Sequence, residues 1–520
     1  MSVVHNPVLA GCYPDPTICR VDDTFYLVTS TFEYLPGLPV FRSKDLAAWE
    51  QIGHVVDRPD QLDYSGIASS GGLYAPTLRH HQGLFWLVCT LVDQNDASRG
   101  GNFLMTAADP AGPWSDPSWL DVDGIDPSIF FDDDGRAWVH GTRLARDPEW
   151  FHQTEVWVRE LDLERKELVG PEHVVWTGAV RGAVWAEGPH LYKVDGAYYL
   201  LAAEGGTEIH HAVSVARADS VTGPFQGCPG NPVLTHRNLG RGADVVGVGH
   251  ADLTQAPDGT WWAVLLGMRP YGGYHYNLGR ETFVVPVQWE DGWPLFAPAT
   301  GRVPAELEIP FAPAPLPPAD ERAPSGVVPA GDLRWTAVRR PPSAVAVPRG
   351  TGWDLPLRPA TLADRDVPAF LGLRQQHRDV DVRAVVRADL APGEEVGVVI
   401  RQSEKDHVRL AMTQDEDGAR HAVAVHVRGG VATELGRVPI EAGADDPVTL
   451  TVSARGQDYR LLVGGPGSEP STVAVADGRT LDTVTTGGFL GLWIGVFGSS
   501  VGTPTTTVAH VDEVAYLPAG

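Results

Sequence analysis

The stretch PDPTICRVDDTFYLVTS, residues 14–30, decides how the first half of this chain folds. It holds an acid, Asp15, between Pro14 and Pro16, then a β-forming run, an Asp-Asp turn and an aromatic β-forming run. Proline fixes its own φ and restricts the residue before it, so the backbone at Asp15 is stiff. Taken alone, an acid beside proline reads as a turn residue. The pattern, however, recurs. The aromatic run "TFYLVTS" has counterparts in "LFWLVCT" from Leu84, "RAWVHGT" from Arg136, "AYYLLAA" from Ala197 and "TWWAVLL" from Thr260. Each follows a turn-like stretch ("VDD", "HQG", "DDDG", "KVDG", "APDG"), the mark of a hairpin's second strand.

Each run also has a companion ten or eleven residues upstream: "PDPTI", "YAPTL", "IDPSI", "AEGPHL" and "GHADL". Their key positions are Asp15, Ala75, Asp126, Glu187 and His250, spaced by 60, 51, 61 and 63 residues. Five units of this size predict a five-bladed β-propeller, and runs of helical period are missing. In a propeller the innermost strands line the central axis, so equivalent positions converge. Three carboxylates and a histidine would then share one funnel, a costly burial of like charge unless it serves a purpose.

Such a cluster can hydrolyse a glycosidic bond, which needs one carboxyl protonated and one ionised at the same pH. Asp15, rigidly held, suits a base that activates water. Glu187 has the longer reach to a leaving-group oxygen, and Gly188 beside it leaves room for substrate. Asp126 would raise the pKa of Glu187 by like-charge repulsion and orient it.

The segment "NPVLAGCYPDPTICRVDDTFYLVTSTFEYLPGLPVFRSKDLAAWEQIG" resembles glycoside hydrolase family 43, the β-xylosidases and α-L-arabinofuranosidases. So do "GIDPSIFFDDDGRAWV", "WAEGPHLYKVDGAYYLLAAEGGT", "VGHADL" and "NLGRETF", in order over about the first 300 residues. The resemblance implies an exo-acting, inverting enzyme that releases a terminal pentose, with Asp15 as base, Asp126 as modulator and Glu187 as acid. It implies that Arg280 touches the sugar and the modulator acid, and that Phe32 forms an apolar wall. It places His250 on the axis, either as a satisfied core histidine or beside a structural calcium; no other cofactor is required. Where many of the family carry tryptophan in "GGLYAP", this chain carries Tyr74. A non-catalytic sugar-binding propeller and a retaining, fructosidase-like hydrolase are the alternatives.

The remaining features bound the reading. Among 520 residues the net charge is −26, which repels nucleic acid and anionic membranes and suits a small neutral oligosaccharide as partner. Four scattered cysteines give neither a disulfide framework nor a zinc site. No signal-peptide pattern or membrane span is read, so a cytoplasmic location is expected; a homo-oligomer is left open. "FFDDDGR" reads as a hairpin turn, and the pairs His80-His81 and His210-His211 as residues on opposite strand faces. "ARDPEW", residues 145–150, matches a fructosidase motif but sits off the inner strands. Past a Pro/Ala-rich linker at 306–328, alternating strands such as "DVDVRAVVRADL" and "FLGLWIGVFG" predict a jelly-roll-like β-sandwich over 329–520. The fold class is therefore all-β, with the propeller at 1–305. Phe489 or Phe497 of the second domain is expected either to narrow the active site or to lie in a core strand.

Overall fold

The computed structural model describes residues 2–311, 325–465 and 469–519. Among them, five antiparallel sheets of four or five strands follow one another along the chain. Blade I comprises Thr17–Val21, Thr24–Val28, Gly37–Ser43 and Glu50–Val56. Blade II begins at Thr77–His81, blade III at Ile125–Phe131, blade IV at Glu187–Val194 and blade V at Val246–Gln255. Each of these first strands pairs with the aromatic run singled out from the sequence, for example Thr17–Val21 with Thr24–Val28.

Several of the hairpins close as expected. Gln82-Gly83 and Asp195-Gly196 join their strands with φ of 51° and 78°, and 49° and 83°, the left-handed pair that a two-residue turn of matching twist requires. "FFDDDGR" is a hairpin turn, closed by Gly135 N–H donating to the Asp132 carbonyl.

Apolar residues fill the spaces between blades. Leu78 and Leu87 of blade II meet Val28 and Val40 of blade I. Trp157 and Val139 meet Val88 and Leu104 across blades II and III. Blade V closes on blade I through Trp262, Val264, Ile18 and Leu27. Each fully buried side chain of this size contributes about 1.5–3 kcal/mol. The N-terminal strand Ser2–His5 pairs with Glu306–Ile309, and Val8 N–H donates to the Thr282 carbonyl of blade V, tying the chain start to the last blade.

The second domain packs an eight-stranded sheet against a six-stranded one around a core that includes Val382, Leu450, Val398 and Ile494. Within the span read as linker, Glu306–Ile309 and Gly326–Val327 are strands, the latter paired with Ala515 and Tyr516; residues 312–324 lie outside the described residues. No helix among the described residues is long and apolar enough to cross a membrane.

The two domains share a seam. Ala337–Val338 of the second pairs with Tyr34–Leu35 of the first. Trp493 stacks on Tyr34 at 3.8 Å, and the wholly buried Arg401 donates to Glu33 at 3.1 Å and to the Tyr34 hydroxyl at 2.7 Å.

Candidate active site

The innermost strands bring the sequence-predicted residues together, with one shift in register. The ladder skips between Ile125 and Ser128 and between Glu187 and His190. Asp126-Pro127 and Gly188-Pro189 are therefore the equivalent pairs, and Glu187 stands one position earlier, opposite the place Ile125 takes in blade III. Backbone angles agree: φ is 54° at Asp15, 53° at Asp126, 54° at Gly188 and 50° at His250. The left-handed position thus recurs at four of the five blade starts, filled by acid, acid, glycine and histidine, and is missing at Ala75 of blade II. Gly188 is needed for space as well, since a Cβ there would lie 2.7 Å from His250 Cε1. The positional equivalence of Glu187 with the two aspartates is accordingly corrected by one residue. The shift arises because glycine occupies the bulge and the acid precedes it.

A cavity of about 420 Å³ opens over these residues, lined by Asp15, Asp126, Glu187, His250, Arg280, Phe32, Tyr74 and Phe489, among others. All seven residues picked from the sequence reach it. A larger cavity of about 560 Å³, at the domain seam around Arg339 and Arg365, contains none of them.

Asp15 is 5% exposed. Its Oδ2 accepts from Ser30 Oγ at 2.6 Å and its Oδ1 from Arg280 Nη1 at 2.7 Å, with His250 Nδ1 at 3.8 Å. Burial alone would raise its pKa, but the Arg280 guanidinium, His250 and the Ser30 hydrogen bond outweigh that and hold it below the usual aspartate value. Asp126, equally buried, accepts one hydrogen bond from Gly188 N–H at 3.1 Å; burial, aided by the Asp15 charge, raises its pKa to about 6. Glu187 goes furthest upward, because burial combines with repulsion from Asp126 and then Asp15. One carboxyl is held ionised and one protonated across the same cavity. Two threonines, Thr142 and Thr154, fix the acid's backbone by donating to the Ala186 carbonyl at 2.6 and 2.9 Å.

Arg280 donates to Asp15 at 2.7 Å and, at 3.5 Å, to Thr207 Oγ1 and the Phe489 carbonyl; it acts on Asp126 electrostatically. The guanidinium lies beside the stacked pair of Phe32 and Phe489, 5.4 and 5.6 Å from their centroids. The calcium expected near His250 gains no support. Among the described residues no three His, Cys, Asp or Glu side chains are grouped to hold a metal. Two of the axial carboxylates already face cations: Asp15 meets Arg280, and Asp252 is paired twice with Arg79 at 2.8 and 2.9 Å.

The wall opposite the acids is aromatic. Phe32, Tyr74 and Phe489 meet pairwise with centroids 5.5–5.9 Å apart. Phe489 reaches the cavity because the strand read as "FLGLWIGVFG" begins only at Trp493, leaving Phe489 in the preceding loop. Phe497 is in that strand and is buried among Phe370 and Trp493. Sequence reading missed His211 and Trp185. His211 lines the cavity and is pushed down to about 4 by burial, so it is neutral there. Its neighbour His210 is exposed, but the pair lies in the turn before the strand Ala212–Ala218 and not on opposite faces of a strand. Trp185 stands inside the quoted "WAEGPH" motif, where only the acid drew notice.

Comparison with known proteins adds independent findings. Residues 4–294 match glycosyl hydrolases family 43, and residues 329–517 match the β-xylosidase C-terminal concanavalin A-like domain. The chain is 40% identical over 518 residues to a xylosidase/arabinosidase of Butyrivibrio fibrisolvens, covering 96% of this chain and 97% of the relative. It is 36% identical to a non-reducing end α-L-arabinofuranosidase of Bacteroides ovatus, covering 98% and 93%. The crystal structure of a xylan β-1,4-xylosidase from Bacillus halodurans superposes with a TM-score of 0.91 at 31% identity, covering 99% of this chain and all of the other.

Proposed function

The chain belongs to glycosyl hydrolase family 43 and is a glycoside hydrolase, and from that premise we propose that it removes a terminal pentose, β-D-xylose or α-L-arabinofuranose, from short oligosaccharides with inversion at the anomeric carbon. The observation that carries this reading is the meeting of Asp15, Asp126 and Glu187 in one cavity, with Asp15 paired to Arg280 and Glu187 left beside the other two carboxyls. In the proposed reaction Asp15 accepts a proton from a water molecule as its oxygen attacks the anomeric carbon. Glu187 gives its proton to the departing glycosidic oxygen, so the leaving sugar departs neutral. Asp126 stays close enough to hold that proton on Glu187 until the bond breaks. Arg280, packed beside the Phe32 and Phe489 rings, keeps Asp15 ionised and oriented. The aromatic wall offers the sugar an apolar face and excludes water from its far side. No step calls for a metal or an organic cofactor. An exo action is supported by the names of the relatives, one of which acts at the non-reducing end. For inversion the two carboxyl groups should stand roughly 6.5–9.5 Å apart, leaving room for the water.

The test pairs an aryl β-D-xyloside with an aryl α-L-arabinofuranoside. Activity on either should fall roughly 10²–10⁴-fold in kcat in both Asp15→Ala and Glu187→Ala, with little change in KM. The first product anomer, read by NMR during turnover, should be inverted. Retention, or a loss of only a few-fold at Asp15, would refute the assignment of Asp15 as base.

A further inference from the structure

Beyond Glu187 lies a second cavity, of about 410 Å³, lined by Arg143, Leu144, Arg146 and Thr154 among others. It shares Ile125, Trp185 and Glu187 with the first. The acid therefore stands between the two spaces, where the atom it protonates must also stand. With the terminal pentose in the first cavity, the second receives what is leaving. Arg143 does not make it an anion site, since Glu155 at 2.8 Å and Glu172 at 2.6 Å already neutralise that guanidinium.

From the shared wall an aromatic column runs outward. The Trp185 ring lies 4.4 Å from the His152 ring, and His152 lies 3.6 Å from Phe151. Phe151 is 80% exposed; one face covers His152, so the other is open to solvent. The column is built rather than incidental. Trp185 adopts left-handed backbone with φ of 53°, which a bulky residue rarely does, and His152 adopts it too with φ of 59°. Trp185 N–H donates to the His152 carbonyl at 3.2 Å, and Trp150 Nε1 donates to the Ala183 carbonyl at 2.7 Å, so the two loops are pinned together. The segment is the "ARDPEW" stretch and the residues just after it, which the catalytic reading left without a role.

We propose that this second cavity takes the leaving-group saccharide and that the Trp185–His152–Phe151 column carries its second sugar ring on the open face of Phe151, so that the enzyme favours leaving groups of two or more sugar units. An uncharged saccharide fits because the apolar face of a sugar ring matches an exposed aromatic face, and of the two arginines at the cavity Arg143 is paired with Glu155 and Glu172 while Arg146 stands 3.5 Å from Glu172. The proposal rests on the glycosidase reading above.

The experiment compares wild type, Phe151→Ala and Phe151→Trp on the active aryl pentoside and on oligosaccharides of two, three and four units from the same pentose series. Wild-type kcat/KM should rise from the two-unit to the three-unit substrate. Phe151→Ala should remove that rise, roughly five- to tenfold and mainly through KM, while the aryl and two-unit substrates change less than about twofold. Phe151→Trp should keep it. An equal loss on every substrate, or no loss on any, overturns the proposal. Should neither aryl glycoside be cleaved, the glycosidase reading fails by itself. Calorimetric binding of xylotetraose to Glu187→Gln, with and without Phe151→Ala, then still reads the column: unchanged affinity refutes it, and a five- to tenfold weakening supports it.

Discussion

Asp15 and Glu187 differ by one methylene, yet their surroundings drive them to opposite protonation states. Asp15 has a guanidinium and a hydroxyl on its two oxygens; Glu187, partly buried, has two neighbouring carboxylates. Rising pH should ionise Asp15 first, then Asp126, then Glu187, with the last two titrating as a pair. The rate profile should be bell-shaped, its acid limb set by Asp15 below the usual aspartate value and its alkaline limb by loss of the Glu187 proton. Asp126→Asn removes a negative charge that holds this proton. The alkaline limb of kcat/KM should move to lower pH, with kcat reduced roughly ten- to a hundredfold. An unmoved alkaline limb would show that Asp126 does not govern the acid.

At the scale of the element, the blade start does the positioning. A left-handed residue followed by proline at Asp15 and Asp126 turns the side chain onto the axis, and the same backbone is met at Gly188 and His250. Because aspartate and histidine tolerate that backbone elsewhere, φ alone does not demand glycine at 188. The His250 ring does, lying 2.7 Å from where a Cβ would be. Gly188→Ala should therefore behave as an overpacked site, costing about 1–3 kcal/mol in urea unfolding and displacing His250 or Glu187 enough to lower kcat. Full activity with unchanged stability would mean that the ring moves aside freely. Blades III and IV carry the same bulge, so the slip lies in which of its positions bears the acid: spacing between acids shows that carboxylates converge, but not which backbone position each takes.

At the scale of the molecule, the site belongs to both domains. Phe489 closes the cavity from the second, and its N–H is held by Ser70 Oγ of the first at 3.0 Å. The seam is anchored by Arg401 and Glu33, with side chains 1% and 0% exposed. Arg401→Met leaves the Glu33 carboxylate buried without its cation and should destabilise the protein by about 3–5 kcal/mol, read as a lowered urea midpoint. A change within 1 kcal/mol would show that the seam does not depend on this pair.

The sequence by itself determined the five-bladed repeat, the β-sandwich after it and the convergence of Asp15, Asp126 and Glu187. These are legible because hairpin turns, aromatic strands and proline-flanked acids are local signals that recur at a period. The tertiary structure settles the rest: that Arg280 hydrogen-bonds to Asp15, that Phe489 and not Phe497 faces the site, and that Trp185, His152 and Phe151 form one column. Each of these depends on which distant segment packs against which. Chain positions 15 and 280, or 32 and 489, carry no periodic relation that would announce their contact. Even a strand pattern as clear as "FLGLWIGVFG" does not say where pairing begins. Local chemistry writes the elements into the sequence, while the burial that pairs them is settled only when the whole chain has closed.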